Sequence, residues 1–150
     1  HGFDHPVVIA DAGLLSKKNI EDLEAEKYEY ILGARVKSET AEVKEAILGM
    51  NLENGDVRCI DKANGVRLIV SMSDKRAAKD EAMRKKGLQR LEKRFQTGKL
   101  TKANVNNRGY NKYLKMDGDV SVTIDMDKFN ADAAWDGIKG YVTNTKVRPV

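Results

Sequence analysis

The sequence predicts an α/β fold that passes into α+β in its later part, on three observations. An apolar run, Pro6-Val7-Val8-Ile9-Ala10, ends in Asp11-Ala12-Gly13-Leu14 and is followed by an amphipathic stretch and a second strand-like run. Two later pairs of strand-like runs surround Asn64-Gly65 and Asp117-Gly118, the dipeptides that tight hairpin turns favour. Between them lies a long charged segment of helical period, from Asp74 to Gln96.

Taken in order, the first apolar run reads as a buried parallel strand that carries Asp11 to the carboxyl edge of a sheet. Open α/β folds bind their ligands at that edge. Ser16 reads as the N-cap of a helix whose inward stripe includes Ile20 and Leu23. Tyr28 to Ala34 reads as a strand, and a strand-helix-strand of this length forms a parallel crossover. Val43, Ala46, Ile47 and Met50 recur at helical spacing. Val57–Asp61 and Val66–Met72 form the first hairpin, with Cys59 expected as a small core residue. The charged helix stops near Gly98, and residues 99–109, polar and Asn-rich, are expected to be a mobile loop. Tyr110–Met116 and Val120–Ile124 form the second hairpin. A short helix near Phe129–Ala134 and a strand from Ile138 to Thr143 follow.

Composition narrows the classes. The 150 residues are 41% hydrophobic and 33% charged, enough for a packed core in a charge-rich globular protein. No apolar run approaches the ~18 residues that span a bilayer, and no basic-then-apolar segment opens the chain. With one cysteine, neither an internal disulfide nor a cysteine-cluster zinc site can form. These features fit a cytoplasmic protein. The chain opens without an initiating Met and stops after a strand, so it is expected to be a piece of a longer protein.

Two features carry chemistry. Asp11 at a strand end is a hard oxygen ligand suited to Mg²⁺ or Mn²⁺, although such residues also cap helices or bind water. From Ser73 to Gln96 there are nine Lys or Arg against four Asp or Glu, a balance of +5 in a chain of net charge +4. At ~100° per residue, Lys75, Arg76, Lys79, Lys86, Arg90, Lys93 and Arg94 share one sector. Ala77, Leu88, Leu91 and Phe95 lie opposite, with Arg84 intruding. A basic stripe of this kind is either a solvated face or a surface that contacts phosphates, positioning a duplex rather than reading its bases. Trp135 is either packed locally or available to stack a base.

Several blocks resemble a known family. Ala10-Asp11-Ala12-Gly13-Leu14-Leu15-Ser16 with Tyr28-Glu29-Tyr30-Ile31-Leu32-Gly33-Ala34-Arg35 is similar to the region around the second aspartate of the DDE transposases of bacterial insertion sequences. The likeness continues in Arg67-Leu68-Ile69-Val70, Ser73-Asp74-Lys75-Arg76-Ala77-Ala78-Lys79-Asp80, Lys112-Tyr113-Leu114, Trp135-Asp136-Gly137 and Tyr141-Val142-Thr143-Asn144. The resemblance implies a partial ribonuclease H-like core at residues 6–35 and an inserted, strand-rich α+β region at 36–145 containing the basic helix 74–96. Residues 146–150 would return toward a core helix. It implies a DNA-binding, homo-oligomeric parent that cuts and joins DNA with Mg²⁺ or Mn²⁺. Asp11 would be one of three metal-binding acids, the other two lying outside this chain, so the isolated piece would be inactive. Ala12 departs from the pattern, where many relatives carry a larger polar residue, often Arg. That puts a phosphate contact from this position in doubt. The resemblance gives Thr143-Asn144 no role beyond finishing a strand. The competing expectations are a standalone nucleic-acid-binding module, and a metal-dependent phosphohydrolase or phosphoacceptor domain. The last two usually place more acids or a Lys at later strand ends, where this chain has Gly33-Ala34-Arg35.

Overall fold

The computed structural model describes residues 6–14, 16–119 and 121–146. Leu15, Val120, the first five residues and the last four lie outside it, and with them most of the expected 146–150 return. The chain divides into two compact units, one of residues 1–73 with 138–150 and the other of residues 74–137. The architecture is mixed α/β. Among the described residues no helix is long and apolar enough to cross a membrane.

The first unit is a five-stranded mixed sheet. Its strands are β1 (Val7–Ala10), β2 (Glu29–Ala34), β3 (Val57–Asp61), β4 (Arg67–Met72) and β7 (Ile138–Thr143), in the order β1-β2-β7-β4-β3. β1 and β2 pair in parallel, with Ala10 opposite Leu32. The other neighbours are antiparallel, and Leu32, Val142 and Leu68 form one cross-strand row. α1 (Lys17–Ala25) makes the crossover and is capped by Ser16, whose hydroxyl accepts from the Asn19 N–H at 3.0 Å. α2 (Ala41–Gly49) contributes Ile47 to a core of Tyr30, Leu32, Leu68, Val70 and Val142. Gly140 is required because Val36 occupies the space a Cβ would fill.

Two expectations are corrected here. β1 is an edge strand, paired on one side, and Val7 and Ile9 are 45% and 75% exposed. An apolar run signals a strand but does not say how many neighbours it has. Cys59 is exposed on β3, the opposite edge strand.

The chain leaves the sheet at the end of β4 and rejoins it at β7, whose Ile138 pairs with Met72. Between them, the second unit is built on α3 (Asp74–Gln96). It also contains the hairpin β5 (Leu114–Asp117) and β6 (Ser121–Ile124), and α4 (Met126–Asp132). Leu91, Tyr113, Leu114, Val122 and Phe129 form its core, flanked by Leu88, Leu100, Val105 and Tyr110. Tyr113 meets Phe129 edge-on, with ring centroids 5.4 Å apart. Asp125 caps α4 by accepting from the Lys128 N–H at 3.1 Å.

The expected strand at Tyr110–Tyr113 is a 3₁₀ turn, Gly109–Tyr113, and pairing starts only at Leu114. The expected loop 99–109 packs Leu100 and Val105 on the core. A 3₁₀ turn at Lys102–Asn104 is closed there by the Asn104 side chain, which accepts from the Thr101 N–H at 2.8 Å. Asn104 and Asn106 close local turns there, a use of Asn that composition alone reads as loop. The last helix starts three residues earlier than expected, at Met126, and Ala133–Trp135 continue as a 3₁₀ turn.

Candidate functional site

Asp11 follows β1 directly, at the carboxyl end shared by the parallel strands β1 and β2. The backbone crosses β2 closely there. A Cβ on Gly33 would lie 2.7 Å from the Ala12 nitrogen, so glycine at 33 lets the 11–12 peptide pass. Asp11 is exposed. The nearest strand end, that of β2, carries Arg35 rather than a second acid. Among the described residues no three His, Cys, Asp or Glu converge on one point. One exposed carboxylate does not make a two-ion centre, so the described residues do not fit such a centre by themselves.

α3 sorts its cations into distinct environments. Lys75, Lys79, Lys86, Arg90 and Lys93 are exposed and make no ion pair among the described residues. Arg76 is also exposed. Lys85 is paired with Glu81 one turn away at 2.6 Å, and this bond holds the Glu81 carboxyl below its usual range. At about 1.5 Å per residue, Lys75 and Lys93 stand roughly 27 Å apart along the axis.

Arg94 differs from its sequence-based placement, whereas Arg84 lies on the inward side where the helical period puts it. Arg94 is half-buried and donates to Asn111 Oδ1 at 3.2 Å, so it borders the stripe and ties α3 to the 109–113 turn. Arg84 belongs to the core. Its guanidinium forms an ion pair with Asp136 and sits over the Phe129 ring, 5.5 Å from the centroid. Phe95, placed on the apolar side by period, is 50% exposed. The inward face of α3 is Arg84, Gly87 and Leu91, with Leu88 packed against the same core, so of the predicted apolar side Phe95 is the exposed exception and Gly87 the addition. A helical wheel puts Arg84 on the inward side as an intruder, but it does not show the distant acid, Asp136, that lets a cation stay there.

Trp135 is half-buried at the end of the Ala133–Trp135 turn. Beside it, Asp136 holds Arg84, and the Gly137 N–H donates to Asp80 Oδ2 at 3.0 Å. The block Trp135-Asp136-Gly137 thus has a structural task within the second unit. Lys112 and Tyr113 form a similar polar anchor. The Tyr113 hydroxyl donates to Asp132 at 2.6 Å and Lys112 pairs with the same carboxylate at 2.9 Å. Burial and then the Asp132 bond push the Tyr113 pKa upward.

Thr143 and Asn144 have a role that the sequence did not reveal. The Thr143 hydroxyl donates to the Tyr30 carbonyl at 2.7 Å, and Asn144 Oδ1 accepts from the Tyr30 N–H at 2.8 Å. The pair clasps the start of β2 from the end of β7. A pocket of about 280 Å³ in the second unit is lined in part by Phe95, Leu100, Met116 and Val122. It contains none of the sequence-predicted site residues. No protein-family model, curated protein or solved structure matches this chain.

Proposed function

We propose that this chain is part of a DDE transposase, with the second unit binding duplex DNA and Asp11 serving as one acid of the parent's catalytic centre. The observation that carries the reading is the placement of Asp11 at the carboxyl end of a parallel strand pair, with Gly33 admitting its backbone. That is where a metal-binding acid of a ribonuclease H-like core would stand. The unpaired cations of α3 support the DNA half of the proposal, because a duplex backbone rewards charge that is not already neutralised. In this reading the remaining acids and the divalent ions join Asp11 from outside the described residues.

The test is Asp11→Ala in the full-length parent. Asp11 is exposed and bonds to no described residue, so stability should stay within about 0.5 kcal/mol of wild type. DNA binding should persist while excision of the element is lost. Excision at near wild-type rate would overturn the catalytic assignment. The standalone nucleic-acid-binding module shares the second half of the proposal and predicts no effect of this substitution.

A further inference from the structure

The second unit carries more free basic surface than α3 alone. From Lys93 to Met116 the sequence has seven Lys or Arg and no Asp or Glu. Three of these cations are engaged locally, Arg94 with Asn111 at 3.2 Å, Lys112 with Asp132 at 2.9 Å and Lys115 with Asp125 at 3.9 Å. Arg108 is exposed, and its side chain bonds to no described residue.

The position of Arg108 is set by the turn it leads into. Asn106 Oδ1 accepts from the Arg108 N–H at 2.9 Å, and Gly109 then takes a positive φ of 53°. The Tyr110 ring packs directly on Gly87 of α3, filling the space of a Cβ. Asn111 is held by Arg94. Gly87 and Arg94 both lie on the flank of α3 that borders Lys86, Arg90 and Lys93 at ~100° per residue. The turn is therefore docked beside the basic stripe by two side-chain contacts, with a free guanidinium at its start.

We propose that Arg108 is a further phosphate-binding residue, so that a duplex backbone is held by α3 and by the 106–111 turn together. This rests on the reading of α3 as a duplex-binding surface. A second, independently anchored cation fixes the register of the backbone where a single stripe of flexible side chains fixes only its approach. Arginine suits the task because its planar fork binds phosphate oxygens in pairs.

The experiment is a salt titration of affinity for a generic duplex with the full chain. It compares wild type, Arg108→Gln, Arg108→Lys, a Lys86/Arg90/Lys93→Gln triple variant, and Lys18→Gln as a net-charge control in the other unit. Loss of one phosphate contact should lower the log–log slope by about 0.9 in Arg108→Gln. Arg108→Lys should retain the slope, and Lys18→Gln should match wild type. If the triple variant loses slope while Arg108→Gln does not, the inference fails and the α3 reading stands. Equal losses in Lys18→Gln and Arg108→Gln would reduce the effect to net charge and also overturn it. Wild type that binds no duplex, or that prefers anionic vesicles to it, would overturn both.

Discussion

Asn144 is bonded to both sides of the β2 entry: its Oδ1 accepts from the Tyr30 N–H at 2.8 Å and its amide donates to the Tyr28 carbonyl at 3.1 Å. It therefore extends the β7–β2 ladder by one side-chain rung past the last backbone pair, Ile31 with Thr143. Asn144→Ala would leave the Tyr30 N–H unpaired beside a side chain that is 0% exposed. An orphaned donor of this kind costs about 1–3 kcal/mol. Urea unfolding should show that loss. Equal stability of Asn144→Ala and wild type would remove the clasp from the account.

Gly87 and Tyr110 make a second testable pair. In an exposed helix, Gly→Ala stabilises by about 1 kcal/mol. Here the new methyl would fall on the Tyr110 ring, and overpacking costs about 1–3 kcal/mol. Gly87→Ala should therefore be destabilising despite its better helix propensity. In a Tyr110→Ala background the same change should become stabilising. The sign reversal is read from a double-mutant cycle in thermal or urea unfolding. No reversal would mean the ring is free to move away.

The Arg84–Asp136 pair predicts an asymmetry. Arg84 is flanked by the Phe129 ring and by Asp136, with side chains only 10% and 18% exposed for the two ionic partners. Removing Asp136 strands a nearly buried cation, and such losses run to about 3 kcal/mol or more. Replacing both partners, as in Arg84→Met with Asp136→Asn, should cost less than Asp136→Ala alone. Circular dichroism during unfolding can rank the variants. The opposite ranking would make the pair dispensable.

Tyr30 and Tyr113 predict a loss of stability at high pH. Burial, and then the hydrogen bond to Glu24, push the Tyr30 pKa up to about 12. Tyr113 is raised by burial and by Asp132. For both, the folded state favours the protonated phenol more than the unfolded state does. The stabilisation is thus complete below the unfolded pKa of about 10 and declines as pH rises through the folded value. Tyrosinate absorbance should show two groups titrating late, and stability should fall above about pH 10. Tyr30→Phe should remove one late group and lessen the slope. Two tyrosines that ionise normally in the folded chain would contradict the buried placement.

The local elements were legible because local chemistry specifies them. Ser16 and Thr40 cap helices where a hydroxyl precedes an amphipathic run. Asn64 and Gly65 turn the first hairpin through positive φ, and the long helix of +5 balance runs from Asp74 to Gln96. The side chains of its stripe could be grouped from period alone, as could the position of Asp11 after the first strand. What the sequence left open depends on neighbours far along the chain. Whether β1 is central or an edge depends on how many strands pair with it, and Cys59 is exposed for the same reason. The partner that neutralises Arg84 on the inward side, Asp136, lies 52 residues later. Gly87 is a docking site because Tyr110 reaches it, and Asn144 matters because Tyr30, 114 residues earlier, presents a donor to it. Period and capping act within a few residues and can be read directly. Edge position, ion pairing and close backbone approach are set only when distant segments meet, so the tertiary structure alone decided them.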